Sequence, residues 1–346
     1  MSNKRMQLPL LRLSRHEMNP RGGCQCKLAG LNLTELLDGA VALASQSDGT
    51  LKTHAYPEDC AIVDVAARSL LLTTDLTPLV GIDLQAAGRI AALHAMSDIY
   101  ASGGMPKWAL VTLVVDMEQP EDHPLVVLAG IMAQCASEGT EVVGGHTITG
   151  PEAMAGLTVI GYPSSDHVLR KKGAQPGDVL LLSKALGVGL ISRGYKLGLL
   201  DEKALDAAVS TMLISNASAS AAAVEIGVHA ATDVTGFGML GHLSEMLEPE
   251  LGAILEHSRI PVLPEAKGLP IQAIRTIWID NNYEYAAAHS EILGITEQEQ
   301  VSVLFDPQTN GGLLVSATEE AAVKLQARGF TMIGRVTDTP TLVIDE

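Results

Sequence analysis

Apolar side chains recur at helical spacing over residues 31–44, and the stretches 61–65 and 69–74 then have the length and aliphatic content of two buried strands joined by a short turn. An acid flanks each strand: Asp59 precedes the first and Asp75 follows the second. Residues 84–102 carry a sustained helical pattern that stops at Gly103-Gly104, where glycine permits the left-handed backbone that ends many helices. A strand over 108–115, a helix over 124–138 and a strand ending at Val143 come next. Gly144-Gly145-His146-Thr147 then reads as a turn, and 157–162 as a further strand. The order strand, strand, helix, strand, helix, strand, strand predicts an α+β layer with a mixed or largely antiparallel sheet, since regular alternation is missing.

The pattern breaks over 163–177, where Ser164, Ser165, Lys171, Lys172, Gly173, Pro176 and Gly177 interrupt the apolar positions. A domain boundary is expected there. The second half opens with a strand over 179–183, passes through an Ala-rich helix over 215–227 and reaches Ala231-Thr232-Asp233-Val234-Thr235-Gly236-Phe237-Gly238. Two strands, 301–305 and 311–315, are expected around Asp306-Pro307-Gln308-Thr309-Asn310. Residues 1–30 have neither period and read as an arm, which leaves 31–165 and 166–346 as the two domains.

Composition agrees with two aliphatic α/β-type cores: the chain has 346 residues, 47% of them hydrophobic but only 3% aromatic. The formal charge of −17 argues against a nucleic-acid or anionic-membrane partner, because either needs a basic surface. No apolar run reaches the roughly 18 residues that span a bilayer, and the N-terminus lacks the apolar core of a signal peptide, so the cytoplasm is the simplest address. Four scattered cysteines, Cys24, Cys26, Cys60 and Cys135, are too few for a disulfide scaffold, and reduced thiols are expected.

Asp59, Asp75, Asp98 and Asp233 stand at strand ends or on a helix's polar face. Mg2+ prefers carboxylate oxygens and bridges them to phosphates, so these acids suit a nucleotide site; each taken singly reads first as a helix or turn cap. His94 and Asp98 lie four apart on one helix face, and His94 reads as an interior hydrogen-bonded histidine before a metal ligand. The segment at Gly144 can bring backbone N–H groups to an anion or simply turn the chain. Neither a Walker-type phosphate loop nor a protein-kinase signature occurs. Cys24 and Cys26 stand beside Arg21 and Lys27, which favour the thiolate; a zinc site lacks a second pair, and an inert surface pair is the competing reading. Cys60 and Cys135 read as small buried hydrophobes.

Several segments, in this order, resemble the selenophosphate synthetase (selenide, water dikinase) family of the aminoimidazole ribonucleotide synthetase-like superfamily. They are Gly23-Cys24-Gln25-Cys26-Lys27, Leu72-Thr73-Thr74-Asp75, Gly88-Arg89-Ile90-Ala91-Ala92 running to Ser97-Asp98-Ile99-Tyr100-Ala101-Ser102-Gly103-Gly104, Gly144-Gly145-His146-Thr147, Thr232-Asp233-Val234-Thr235-Gly236-Phe237-Gly238 and Asp306-Pro307-Gln308-Thr309-Asn310-Gly311-Gly312. The resemblance covers nearly the whole chain. It implies a two-domain α+β fold with mixed or antiparallel sheets packed with helices, and the conversion of ATP, selenide and water to selenophosphate, AMP and phosphate with Mg2+. It further implies a homodimer paired through the N-terminal domains, which makes 31–165 the ATP, Mg2+ and dimerisation domain. By position Cys24 matches the family's catalytic Cys or selenocysteine and Lys27 its essential lysine, while Asp59, Asp98 and Asp233 match the Mg2+ ligands. Asp75 and Gly145-His146-Thr147 match nucleotide-binding positions, and Tyr56, Pro57 and Glu58, with Lys27 and Asp98, join that nucleotide set. The chain departs from the family pattern before Asp59, where an Arg is replaced and one Asp has become Glu58, and at His94 and Thr149. Two other readings stay open: a non-catalytic sensor of ATP or selenium, and a superfamily enzyme acting on another small substrate.

Overall fold

The computed structural model describes residues 58–65, 68–270, 274–294 and 303–345. The arm at 1–30 and the helix expected over 31–44 lie outside the described residues, and with them Cys24, Cys26, Lys27, Tyr56 and Pro57.

The first layer is a five-stranded sheet, β1 (Ala61–Val65), β2 (Arg68–Pro78), β3 (Gly104–Asp116), β4 (Glu141–Gly150) and β5 (Met154–Pro163), in the order β1-β2-β5-β3-β4. All neighbours are antiparallel except β3 and β4. Period-two alternation sorts its side chains. Leu71, Ala109 and Val159 are buried on one face against two helices, α1 (Leu84–Ala101) and α2 (His123–Ser137), while Leu76, Leu110 and Ile148 stay exposed on the other. Asp83 starts α1 by accepting hydrogen bonds from the Gln85 and Ala86 amides, and Gly103, at φ +72°, ends it. The two helices approach closely at Gly88 and Gly130, where a Cβ would meet Val127 O at 2.1 Å and Gln85 O at 2.2 Å.

The second layer is a seven-stranded sheet in the order β7-β10-β6-β11-β8-β12-β9. Its strands are β6 (Val179–Leu182), β7 (Ala230–Asp233), β8 (Gly252–Glu256), β9 (Glu291–Leu293), β10 (Leu313–Ala317), β11 (Thr331–Thr337) and β12 (Thr341–Asp345). Pairing is antiparallel except where β12 runs parallel to β8 and β9. The associated helices are α3 (Val188–Lys196), α4 (Glu202–Met212), α5 (Ala217–Ile226), α6 (Gly238–Met246), α7 (Ile277–His289) and α8 (Glu319–Gln326). Leu180 and Leu182 face one core with Met239, Leu243 and Phe305, whereas Val179 and Leu181 face another with Ala222, Val315 and Leu325. A sheet buried on both faces explains why β6 is an unbroken apolar run. The layers meet along α1: Asn216 Nδ2 donates to Ser97 Oγ (2.9 Å) and Ser220 Oγ donates to Tyr100 O (2.6 Å).

The α+β class and mixed sheets read from the sequence are those observed. Three local expectations are corrected. Strand β2 runs through Asp75 to Pro78, because its ladder with β5 continues to Pro78↔Met154. Gly144-Gly145-His146-Thr147 is the middle of β4 and not a turn; Gly145 is required there because a Cβ would lie 2.0 Å from Val111 O on β3. Residues 303–305 form a turn instead of strand: Phe305 is fully buried as a plug and its carbonyl accepts from Asn282 Nδ2 (2.8 Å), not from a neighbouring strand.

Candidate functional site

Asp59, Asp98 and Asp233 come from three different elements and converge: one carboxylate oxygen from each lies within 4.8 Å of the others. Asp59 sits just before β1, Asp98 on the last turn of α1 and Asp233 at the end of β7, where the packing of α1 against β7 joins the two layers. Thr73 Oγ1, on β2, donates to Asp98 Oδ2 at 2.5 Å, the partner that an acid in an otherwise apolar helix requires. Thr232 Oγ1 donates to Asp59 Oδ1 at 3.1 Å. Asp233 is 1% exposed and its Oδ2 has no hydrogen-bond partner among the described residues. Burial, opposed by Lys171 and reinforced by Asp233, pushes the Asp59 carboxyl up to about 6. Three crowded carboxylates, one with an orphaned buried oxygen, form a hard all-oxygen donor set suited to Mg2+.

Beside the cluster runs a buried charge network. Lys171 Nζ lies 2.6 Å from Asp59 Oδ1 and 3.1 Å from Glu245 Oε2, with the three side chains 6–8% exposed. The Tyr285 hydroxyl donates to Glu245 Oε1 (2.9 Å), and His242 Nδ1 lies 3.2 Å from Glu245 Oε2. Burial favours the neutral amine of Lys171, but the carboxylates of Asp59 and Glu245 outweigh it and hold the ammonium above the usual lysine range. Burial likewise opposes ionisation of Glu245, and Lys171 with His242 overcomes it and holds that carboxyl well below the usual range. Glu58 accepts from the Lys171 backbone amide at Oε2 (3.2 Å) and pairs with the Arg170 guanidinium through Oε1 (3.3 Å), so the departure before Asp59 is met by one cation and one backbone donor of the interdomain segment. Lys171, Glu245, Thr73 and Thr232 were not singled out from sequence as site residues. The legible signal was Glu245, a lone acid in the apolar helix α6.

His94 is 1% exposed and hydrogen-bonded, as read from sequence. The Asn310 amide donates to Nδ1 (3.2 Å), so the proton of the neutral ring sits on Nε2, which lies 3.2 Å from Asp75 Oδ2. Asn310 itself adopts φ +48°, the one non-glycine positive φ among the described residues. Its side chain donates to Met212 O and Ile214 O, and its carbonyl accepts from Lys184 Nζ, so the loop that reaches α1 is held from three sides.

Sheet register separates the remaining candidates. Asp75, Leu157, Val111 and Gly145 form one row across β2, β5, β3 and β4, and Leu157 and Val111 are buried toward the helices. Opposed residues share a face. Asp75 therefore faces α1 with Thr73, while His146, in the row Leu76, Gly156, Thr112, His146, lies on the open face. Gly145-His146-Thr147 stand three strand spacings from Asp75, about 14 Å at ~4.8 Å each. The structure thus brings Asp59, Asp98 and Asp233 together, holds Asp75 beside the same helix, and leaves His146 on the opposite side of the sheet. Cys60 and Cys135 are buried free thiols, pushed upward by burial and, next, by the charges of Asp98 and Glu138 respectively. Among the described residues no single helix is long and apolar enough to cross a membrane.

Comparison with known proteins adds independent findings. The family described as AIR synthase related protein, N-terminal domain, matches residues 57–162, and its C-terminal counterpart matches 175–345. A selenide, water dikinase of Pseudomonas straminea is 36% identical over 302 residues, covering 86% of this chain and 85% of that protein. One from Carboxydothermus hydrogenoformans is 35% identical over 278 residues, covering 79% and 81%. Among solved structures, AaThiL complexed with AMPPCP and TMP superposes with a TM-score of 0.66 at 20% identity, covering 89% of this chain and 92% of that one, a likeness of fold.

Proposed function

The chain belongs to the selenide, water dikinase family of AIR synthase related proteins, and on that premise we propose that it converts selenide to selenophosphate at the expense of ATP and water, releasing AMP and phosphate. The observation that carries the reading is the convergence of Asp59, Asp98 and Asp233 where the two layers meet. Their all-oxygen donor set and the orphaned Asp233 Oδ2 fit Mg2+, which when bound supplies positive charge to phosphate oxygens. In a chain of net charge −17, polyphosphate cannot approach these acids without such screening.

The protein's own residues then divide the work. Asp59, Asp98 and Asp233 hold the cation, and Thr73 and Thr232 fix two of those carboxylates. His94 orients Asp75 by donating from Nε2 to Oδ2, and Asp75 so placed joins the nucleotide contacts. Lys27 screens phosphate charge, and Cys24 presents a thiolate that receives or guides selenide, both from the N-terminal arm. Tyr56, Pro57, Glu58 and Gly145-His146-Thr147 complete the proposed nucleotide contacts. Because His146 lies on the open sheet face, its contact calls for a partner copy seated there. Val63, Leu76, Leu110 and Ile148, all more than a third exposed, make that face apolar and support a homodimer through the N-terminal layer.

An anaerobic assay of ATP, AMP and phosphate with and without selenide tests the reading. One AMP formed per selenide consumed is the expected result, and ADP accumulating independently of selenide would overturn it.

A further inference from the structure

We propose that Lys171 is a positioning residue for the cation site: its ammonium fixes Asp59 in ligating orientation, so that the affinity of the Asp59, Asp98 and Asp233 cluster depends on a charge supplied by the segment between the domains. The inference rests on the cation reading given above and deepens it.

Lys171 is held at both ends. Its amide donates to Glu58 Oε2 (3.2 Å), the residue beside Asp59, and its Nζ reaches Asp59 Oδ1 at 2.6 Å and Glu245 Oε2 at 3.1 Å. Glu245 in turn is fixed by the Tyr285 hydroxyl on its other oxygen, so α6 and α7 anchor the ammonium. Lys171 and Thr232 both bond Asp59 Oδ1, which leaves Oδ2 to face a cation. A carboxylate can take an ammonium on one oxygen and a metal on the other, and such outer partners orient a ligand and hold its charge. Asp59 belongs to the N-terminal layer and Glu245 to the C-terminal one, and the shorter of the two ammonium contacts goes to Asp59. Asp59 precedes β1 and stands outside its ladder, which begins at Ala61. Lys171 and Thr232 supply the constraint, and of the two only Lys171 brings charge.

Mn2+ binding to the purified full-length protein, read by electron paramagnetic resonance, tests this without turnover. Wild type is expected to bind Mn2+ and D98N to lose it. In K171M/E245L the ammonium and its second counterion are removed together, so the core keeps no unpaired Glu245. That variant is expected to bind Mn2+ about 10- to 100-fold more weakly, the range typical of lost outer-sphere partners, with K171R within a few-fold of wild type. K171Q, one bond shorter, polar and uncharged, serves as the second variant, and a melting curve accompanies each. Equal or tighter Mn2+ binding by the folded uncharged variants would overturn the proposal and make Lys171 a competitor or a structural tie. Absence of D98-dependent Mn2+ binding in wild type would instead sink the cation site itself.

Discussion

Gly88→Ala sets two physical effects against each other. In an exposed helix interior the change would stabilise α1 by about 1 kcal/mol, because alanine loses less backbone entropy than glycine. At this position the new Cβ would lie 2.1 Å from Val127 O, 3.0 Å from Val127 C and 3.1 Å from Ile131 N. Ordinary contact begins at 3.4 Å, so α1 and α2 must separate by up to 3.4 − 2.1 = 1.3 Å, and the obstacle is backbone that cannot rotate away. Overpacking of a tight core costs about 1–3 kcal/mol, and a clash of this depth with a peptide group belongs at the upper end. The net expectation is destabilisation by about 1–2 kcal/mol, a fall in melting temperature of about 2–8 °C for a domain of this size. Because α1 carries His94 and Asp98, Mn2+ affinity should fall with it. Thermal denaturation by circular dichroism with a parallel Mn2+ titration measures both. A variant melting at or above the wild-type temperature would refute the packing argument and show that helix propensity decides at this crossing.

Asp233→Asn removes a cluster oxygen that has no other partner, and AMP formation should drop by at least about the 100-fold that outer-sphere losses reach, as read by nucleotide chromatography. Cys24→Ala should abolish selenide-dependent ATP consumption while leaving the melting temperature unchanged; unaltered turnover would remove the thiol from the account. Leu110→Glu places a charge on the open sheet face; if the proposed homodimer forms there, wild type should sediment as a dimer and the variant as a monomer in analytical ultracentrifugation, whereas equal sedimentation coefficients would refute an interface on this face. Burial pushes the Asp306 carboxyl up to about 7 against hydrogen bonds from the Leu190 amide, Gln308 and the Gly189 amide. Folding therefore takes up a proton between the unfolded value near ~4 and pH 7, so this group's contribution is full below pH ~4 and is lost as the pH rises through 7. Denaturant titrations of Asp306→Asn should show that slope, at most about 1.4 kcal/mol per pH unit, removed.

How far the chain could be read in advance depended on the range of the physical signal. Helix α1 was legible because its stop is local: Gly103 takes a positive φ that few other residues adopt. The metal-type aspartates were recognisable as residues, but their convergence to within 4.8 Å is a property of three elements far apart in sequence. Asp75 looked like a strand end because a carboxylate in a buried strand is costly; His94, nineteen residues along the chain, removes that cost. The glycines at 144 and 145 read as a turn because turns are glycine's commonest use, whereas here Gly145 admits the neighbouring strand's carbonyl. Lys171 and Glu245, 74 residues apart, left no trace of their pairing beyond one acid in an apolar helix. Phe305 shows the converse failure, since a hydrophobic run carries no mark that separates a strand from a buried plug.

Selenophosphate synthesis can be followed in an anaerobic phosphorus NMR time course of the purified protein with Mg2+, ATP and selenide against a control without selenide. A selenophosphate resonance is expected to rise in step with AMP and phosphate only when selenide is present. Intact ATP in both samples, or ADP formed without selenide, would contradict it.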